Sequence, residues 1–216
     1  NLSYAIYIWP FRQDHVIQIK MSGIEQSIAD DGGAPARFIL KKTIVLVGMM
    51  GAGKTAVGRA VAAKLGAPFL DSDAEIEAAA NMTIPEIFQR DGEAFFRRKE
   101  SQVIARLLDE KRCVLSTGGG AFLAEANRRM ISDRGVSVWL KADLDVLWNR
   151  VRHKETRPLL QTPDPRATLS GLYEARVPIY AGADLTVQSD GHAAIEDMVD
   201  RVIVALRTRP DVLEQK

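Results

Sequence analysis

Residues Gly48 to Thr55, which read GMMGAGKT, have the clearest chemical potential in this chain. The spacing Gly48-x-x-x-x-Gly53-Lys54-Thr55 is typical of a phosphate-binding loop, and it falls between a predicted strand and a predicted helix. Glycines let the backbone curl so that its N–H groups and the helix N-terminus surround a phosphate. Lys54 would then reach the β- and γ-phosphates, and the Thr55 hydroxyl would bind Mg²⁺. The alternative is a glycine-rich turn that caps an ordinary helix.

Two carboxylates follow the next predicted strand. Asp71 and Asp73 end the segment PFLDSD, one helix and one strand after the phosphate-binding loop. Because ligands bind at the carboxyl ends of the strands in an open parallel sheet, we expect both acids to face the loop. A small-molecule kinase needs a carboxylate for Mg²⁺ or its bound water, and an acceptor hydroxyl placed in line. Both acids are also suited to cap the helix that follows.

A glycine triplet and three separated arginines add groups that suit an anionic acceptor. Gly118–Gly120 follow the predicted strand RCVLS and allow a ligand to approach the backbone closely. Arg97, Arg157 and Arg176 carry planar guanidinium forks that can hold carboxylates or phosphates in pairs of hydrogen bonds. For Arg97 alone, the simpler interpretation is a solvated helix face.

The elements that must position these groups alternate between apolar strands and amphipathic helices from Lys42 onward. This alternation predicts one α/β domain whose parallel sheet is covered by helices on both faces. The polar, proline-containing segment 153–165, HKETRPLLQTPDP, predicts a mobile lid between two helices. The turn QSDGHAA, at the predicted edge of a nucleotide pocket, carries no sharp motif.

Composition restricts the class of protein further. The 216 residues are 46% hydrophobic and 26% charged, with a net charge of +1, which disfavours a nucleic-acid ATPase with a strongly basic face. No apolar run approaches the roughly 18 residues of a membrane span. The single cysteine, Cys113, cannot form an internal disulfide, which fits a reducing cytosol. We therefore expect a cytoplasmic monomer that binds neither nucleic acid nor membrane.

The predicted domain boundaries leave both ends of the chain outside the domain. Residues 1–41 are expected to be a flexible N-terminal extension, and residues 1–20, which precede Met21, are expected to be an artefact of the gene start. The domain is predicted over residues 42–207, and residues 208–216 are predicted to be a C-terminal tail.

Six segments occur in an order and spacing that resemble the shikimate kinase family: GMMGAGKTAVGRAVA, FLDSD, FFRRKE, STGGGA, RPLL and ARVPIY. The resemblance covers about residues 42–207. It implies transfer of the ATP γ-phosphoryl group to the 3-hydroxyl of shikimate, on the pathway to chorismate and the aromatic amino acids, with Mg²⁺ as cofactor. It also implies a P-loop three-layer α/β/α fold like that of nucleoside monophosphate kinases, with a five-stranded parallel sheet of order 2-3-1-4-5.

The resemblance also assigns residues to the nucleotide. Those implied to bind ATP are Gly51, Ala52, Gly53, Lys54, Thr55, Ala56, Arg150 and Arg157. Arg150 matches the arginine that stacks on adenine, with Arg152 as the alternative, and Arg157 matches the lid arginine that approaches the γ-phosphate. Thr55 and Asp71 are implied at the metal, with Ser116 as a candidate for a contact with metal-bound water.

The acceptor residues implied by the resemblance are Asp73, Arg97, Gly118, Gly119, Gly120 and Arg176. Arg97 and Arg176 are expected to bind the carboxylate of shikimate, with Glu100 orienting Arg97. Asp73 is expected to bind the acceptor hydroxyl, as a general base or only as an orienting group. The implied catalytic set is Lys54, Asp73 and Arg157.

Three other functions are possible for a protein with this loop. A gluconate kinase would lack the arginine pair and the glycine triplet, and a regulatory module without catalysis would not need Lys54, Asp73 and Arg157. A GTP-dependent switch would need an N-K-x-D motif to recognise guanine, and the sequence contains none.

Overall fold

The computed structural model describes residues 38–153 and 158–215, all of which belong to one compact unit. The strands in chain order are β1 (Phe38–Leu40), β2 (Thr43–Val47), β3 (Phe69–Asp71), β4 (Val114–Ser116), β5 (Gly135–Ala142), β6 (Leu185–Ser189) and β7 (Leu213–Gln215). The helices are α1 (Lys54–Leu65), α2 (Ser72–Ala80), α3 (Ile84–Glu110), α4 (Glu125–Arg134), α5 (Leu144–Val151), α6 (Pro165–Tyr180) and α7 (Ile195–Arg207). Short 3₁₀ turns lie at Ala121–Leu123 and Pro158–Leu160.

Five parallel strands form the central sheet in the order β3-β4-β2-β5-β6. Numbered along the chain within this sheet, that order is 2-3-1-4-5, so the predicted topology is confirmed. All residues of the central strand β2 are buried, because helices cover a parallel sheet on both faces. Ile44 of β2 lies between Val114 of β4 and Val136 of β5, and all three side chains are fully buried.

Helices α2 and α3 form a second, smaller core beside the sheet. Ile76, Ile87 and Phe96 are buried against one another there, separately from the main hydrophobic cluster. Helix α3 begins with a capping box between Thr83 and Glu86 and breaks at Gly92, whose φ is 80° and ψ is 169°. The two helical segments predicted from the sequence therefore exist, joined at this glycine, and both can face the same cavity.

The two ends of the described chain pair with each other. Strands β1 and β7 form an antiparallel ribbon, with Phe38 opposite Gln215 and Leu40 opposite Leu213. Lys41 adds an ion pair of 2.8 Å to Glu214. The sequence analysis placed β1 in the N-terminal extension and β7 in the C-terminal tail. It missed their pairing, because strands of three residues carry little periodicity.

No helix in residues 38–153 and 158–215 is both long and apolar enough to cross a bilayer. Cys113, just before β4, is fully buried, and burial raises the pKa of its thiol. Residues 1–37, and with them most of the predicted N-terminal extension, lie outside the described residues.

Candidate active site

The loop between β2 and α1 has the conformation that its glycines allow. Gly51 and Gly53 have φ values of 81° and 92°, in the left-handed region that residues with side chains avoid. A Cβ atom at Gly51 would also lie only 2.7 Å from Cγ1 of Val151. The Nζ atom of Lys54 donates to the carbonyl oxygens of Gly48, at 2.8 Å, and Met49, at 3.0 Å, so the ammonium lies over the loop. The loop thus presents a cation and the N-terminus of α1 to one concave surface.

Side-chain oxygens from the start of α1 and from the ends of β3 and β4 meet beside this loop. The Thr55 hydroxyl donates to Oδ2 of Asp71 at 3.1 Å and lies 3.5 Å from the Ser116 hydroxyl. The other oxygen of Asp71 accepts from the backbone N–H of Asp73 at 3.1 Å, so Asp71 is the N-cap of α2. The sequence analysis allowed a capping role for both acids, and the structure assigns the N-cap to Asp71.

This group of hydroxyl and carboxylate oxygens suits Mg²⁺, which prefers hard oxygen ligands and keeps several of its waters. Among the described residues there is no cluster of three or more His, Cys, Asp or Glu side chains that could hold a metal by themselves. A site with one carboxylate and one hydroxyl would leave its remaining positions to water and to the phosphates of a nucleotide.

The glycine turn after β4 packs directly against the acceptor-side groups. A Cβ atom at Gly118 would lie 2.7 Å from Oδ1 of Asp73, and one at Gly120 would lie 2.6 Å from Cζ of Arg97. Any side chain at these positions would displace the carboxylate or the guanidinium. The hydroxyl of Tyr180 donates to the carbonyl of Gly119, which ties the turn to helix α6.

Arg97 is held by two glutamates on its own helix. Its Nη1 donates to Oε2 of Glu100 at 2.8 Å, and its Nε and Nη2 each lie 3.2 Å from Oε1 of Glu93. Burial lowers the pKa of the Arg97 guanidinium, but the hydrogen bonds and charges of Glu100 and Glu93 outweigh it, so the pKa is raised. Arg97 therefore stays charged at the edge of the cavity, as the expected pairing with Glu100 requires.

Glu100 is a buried acid with incomplete hydrogen bonding. Its side chain is 1% exposed, and its Oε1 atom has no hydrogen-bond partner among the described residues. Burial raises the pKa of this carboxyl, Arg97 lowers it, and the charges of Asp73 and Glu93 raise it further, for a net increase.

Arg176 lies on helix α6 and is only 9% exposed. A Cβ atom at Gly119 would lie 3.8 Å from its Nη1 atom. Burial raises the pKa of the neighbouring Tyr180 hydroxyl to about 12, against the opposing charge of Arg176, so this tyrosine stays protonated. In the described part of the chain Arg176 is hydrogen-bonded with the Tyr180 hydroxyl but forms no ion pair with a carboxylate, so an anionic ligand would supply its counter-charge.

Two cavities of about 490 Å³ each open around these groups. We call them the donor cavity and the acceptor cavity. The donor cavity is lined by Met50, Gly51, Ala52, Gly53, Lys54, Thr55, Ala56, Val57, Asp71, Asp73, Ser116, Thr117, Gly118, Gly119, Arg150, Ser189, Ala193, Ile195 and Met198. The acceptor cavity is lined by Met50, Asp73, Glu77, Ile84, Pro85, Phe88, Phe96, Arg97, Glu100, Gly118, Gly119, Gly120, Leu159 and Arg176. Met50, Asp73, Gly118 and Gly119 line both, so the cavities meet there.

The structure brings the sequence-predicted residues together in two groups. The predicted nucleotide and metal residues within the described chain line the donor cavity, and all six predicted acceptor residues line the acceptor cavity. Arg150 donates to the carbonyl of Gly51 at 3.3 Å and to the Ser189 hydroxyl at 3.4 Å, whereas the alternative, Arg152, is exposed and lines neither cavity. The predicted lid residue Arg157 lies outside the described residues.

Sequence reasoning missed two sets of lining residues. On the donor side, the turn QSDGHAA was predicted at the edge of the pocket and its Ser189 and Ala193 line the cavity, whereas Ile195 and Met198 of α7 were not predicted. On the acceptor side the missed residues are Glu77, Ile84, Pro85, Phe88, Phe96 and Leu159. Ile84, Pro85 and Phe88 lie in the segment TIPEIF, whose sequence is typical of the start of an amphipathic helix. The high apolar content of this first turn is the only feature of the sequence that could have indicated a cavity wall.

The fold and these adjoining cavities define a P-loop kinase that acts on a small molecule. A family model described as shikimate kinase matches residues 50–207. The chain belongs to the shikimate kinase family.

Known shikimate kinases are similar in sequence to this chain over most of its length. A shikimate kinase of Ruegeria pomeroyi is 76% identical over 196 residues, which are 90% of this chain and 99% of that protein. One of Cereibacter sphaeroides is 72% identical over 175 residues, covering 81% of this chain and 87% of that protein. A solved structure, the shikimate kinase from Acinetobacter baumannii in complex with shikimate, is 39% identical with a TM-score of 0.74, over 78% of this chain and 94% of that one.

The raised pKa of Glu100 predicts a pH-dependent loss of stability. The folded protein holds this proton more tightly than the unfolded chain, so the stabilisation is complete below the ordinary value of 4.5 and is lost as the pH rises through the raised pKa. Glu100→Gln has no such proton to lose. Urea unfolding from about pH 4 to about pH 7 should show the wild type losing stability relative to this variant. A difference in unfolding free energy that stays constant with pH would contradict the raised pKa.

Proposed function

We propose that this protein transfers the γ-phosphoryl group of ATP to the 3-hydroxyl of shikimate, which gives ADP and shikimate 3-phosphate on the pathway to chorismate and the aromatic amino acids. The observation that carries the proposal is the junction of the two cavities at Asp73, with the buried guanidinium of Arg176 and the half-buried one of Arg97 on the acceptor side. A cyclic acid with several hydroxyl groups matches a cavity with cations on one side and a carboxylate on the other.

On the donor side, the loop Gly48–Thr55 and the N-terminus of α1 hold the phosphates. Lys54 leaves the carbonyls of Gly48 and Met49 to reach the β- and γ-phosphate oxygens. Thr55 and Asp71 would hold Mg²⁺, with Ser116 beside them, and the ion when bound offsets the negative charge on the phosphates. Arg150, which lines the donor cavity, would stack on the base.

On the acceptor side, Arg97 and Arg176 bind the carboxylate of shikimate. Glu100 and Glu93 hold Arg97 in place, and Gly119 and Gly120 allow the ligand to approach the two guanidinium groups closely. Arg176 gains a counter-charge that no described residue provides. The carboxylate thereby fixes which hydroxyl group points toward the donor cavity.

Asp73 contacts that hydroxyl where the cavities meet. Its carboxylate accepts a hydrogen bond from the 3-hydroxyl and orients the oxygen for in-line attack. Phosphoryl transfer passes through a loose transition state, so we assign orientation as the larger contribution and proton removal as the smaller one. Arg157 remains a prediction from the family resemblance: a cation that approaches the γ-phosphate and excludes water when the lid closes.

We also propose that the kinase domain spans residues 42–207 and that the enzyme acts as a cytoplasmic monomer without a nucleic-acid or membrane partner. The net charge of +1 and the single buried cysteine support this assignment.

Gluconate phosphorylation is the second candidate, which the sequence analysis left open. A gluconokinase from Sinorhizobium meliloti has a similar fold, with a TM-score of 0.52 at 20% identity. That likeness extends to the fold alone. The arginine pair Arg97 and Arg176 and the glycine triplet 118–120, which a gluconate kinase is expected to lack, line the acceptor cavity and favour shikimate.

An acceptor panel tests the proposal. ADP release with Mg²⁺-ATP should be fast with shikimate and at least about tenfold slower with quinate or gluconate. Quinate carries an extra hydroxyl group on a tetrahedral carbon beside its carboxylate, and gluconate is an open chain. Equal or faster turnover of gluconate would overturn the assignment.

Asp73→Asn should lower kcat by about 10²–10⁴-fold while ATP binding stays within about twofold of wild type. The amide has the size of the carboxylate but not its charge. Glu75→Gln is the matched control, since Glu75 lies on the same helix, pairs with the exposed Arg106 and lines neither cavity. Steady-state kinetics and calorimetry of ATP binding measure the two effects, and near wild-type turnover of Asp73→Asn would refute its assigned role.

Arg97→Met should raise the KM for shikimate by about 10–100-fold, because a charge-assisted contact to the carboxylate is lost. The KM for ATP should change much less. Arg98→Met is the control, since Arg98 is exposed and lies over the Phe95 ring, outside both cavities. An unchanged KM for shikimate in a folded Arg97→Met variant would contradict the carboxylate contact.

A further inference from the structure

Tyr180, the last residue of α6, has a fixed place in the interior of the protein. It is fully buried, and its ring stacks near those of Trp139 and Phe122, with centroid distances of 6.1 and 6.4 Å. A tyrosine side chain has only two rotatable bonds, so this packing also fixes the position of the hydroxyl. A buried phenol hydroxyl needs polar partners, and the partners that it has here belong to the acceptor side.

The Tyr180 hydroxyl joins two groups that line the acceptor cavity. It donates its one proton to the carbonyl oxygen of Gly119, and it is also hydrogen-bonded with Arg176. Because a guanidinium group can only donate, the phenol oxygen accepts from Arg176. The hydrogen bonds therefore run from Arg176 through Tyr180 to Gly119, and both ends of this chain line the acceptor cavity.

This chain of hydrogen bonds requires that Tyr180 keeps its proton. Burial raises the pKa of the hydroxyl to about 12, and the charge and the hydrogen bond of Arg176 oppose that increase without cancelling it. The hydroxyl is therefore a donor to Gly119 and an acceptor from Arg176 at neutral pH.

The same hydroxyl sets the orientation of one peptide group in the glycine turn. The described chain has no cis peptide bond, and in a trans peptide the carbonyl of Gly119 and the N–H of Gly120 point to opposite sides. Because the carbonyl points to Tyr180, the N–H points away from it. Glycines have more backbone freedom than other residues, so a turn of three glycines depends on such contacts to keep one conformation.

We propose that Tyr180 is a positioning residue for the acceptor, whose hydroxyl couples the guanidinium of Arg176 to the glycine turn 118–120. The acceptor carboxylate then meets a cation and a turn whose relative position is already set, which reduces the ordering that binding must impose. Tyr180 lines neither cavity, so it acts through these two groups and not on the substrate itself. The proposal rests on the proposed binding of shikimate and adds a residue from outside the site.

Tyr180→Phe tests the proposal, because it removes the hydroxyl and keeps the packed ring. We expect the KM for shikimate to rise by about 5–30-fold, since Arg176 and the turn lose their shared partner. Both kcat and the KM for ATP should stay within about threefold of wild type, because Lys54 and Thr55 keep their contacts. Steady-state kinetics and calorimetry of shikimate binding without nucleotide measure these effects.

Tyr173→Phe is the matched control. It removes a hydroxyl from a half-buried tyrosine of the same helix that lines neither cavity, and it should keep the KM for shikimate within about twofold of wild type. Urea unfolding of both variants separates positioning from stability. A merely structural role for Tyr180 would lower the free energy of unfolding and leave the KM for shikimate unchanged.

A double-mutant cycle with Arg176→Met tests whether Tyr180 acts through Arg176. Each single change should raise the KM for shikimate. The double variant should fall short of the product of the two increases by at least about threefold, because the second change removes a partner that the first has already disconnected.

An unchanged KM for shikimate in folded Tyr180→Phe would overturn the proposal. Equal increases in the KM values for shikimate and ATP would also overturn it, as would independent, multiplicative effects in the cycle. Failure of the proposed function would look different, because the wild type itself would then release no ADP with shikimate.

Discussion

The close contact between the glycine turn 118–120 and two charged side chains is the constraint on which the rest of the site depends. Gly118 leaves no room for a side chain beside Asp73, and Gly120 leaves none beside Arg97. Because the turn follows β4, which lies between β2 and β3, it is held next to the phosphate-binding loop and to the start of α2. The strand order β3-β4-β2 thus brings the phosphate-binding loop, the Asp73 carboxylate and the Arg97 guanidinium close together. The donor and acceptor cavities meet along this turn.

The acceptor side depends on a balance of buried charge. Arg97 is held by Glu100, whose own burial disfavours ionisation, and Arg176 is buried without a carboxylate from the described chain. The small core of Ile76, Ile87 and Phe96 supports this region separately from the main core. The break at Gly92 lets both halves of α3 contribute to the same cavity wall. The carboxylate of a bound acceptor would neutralise the charge of Arg176. Recognition of that carboxylate would therefore position the acceptor in the cavity that Asp73 also lines.

Much of this arrangement could be predicted from sequence, because strong local patterns coincide with the functional groups. The phosphate-binding loop, the PFLDSD strand and the glycine triplet each have a fixed spacing, and the alternation of strands and helices predicts a parallel sheet. The order of its strands, 2-3-1-4-5, was implied by the resemblance to the shikimate kinase family. The apolar side chains of Ile84 and Phe88 in the wall of the acceptor cavity could not be predicted, because apolar residues at helical spacing have the same pattern as residues of a hydrophobic core. The pairing of β1 with β7 depends on tertiary geometry, and strands of three residues leave no periodic signal.

The central claim is that the meeting of the two cavities at Asp73 directs the phosphoryl group to one hydroxyl of the acceptor. Phosphorus and carbon NMR of a reaction containing shikimate, ATP and Mg²⁺ tests this most directly, because the spectra identify the esterified oxygen and any inorganic phosphate. We expect one product, esterified at the 3-hydroxyl, formed in step with ADP and without inorganic phosphate. Esterification at another hydroxyl, or ADP accompanied by inorganic phosphate, would contradict it.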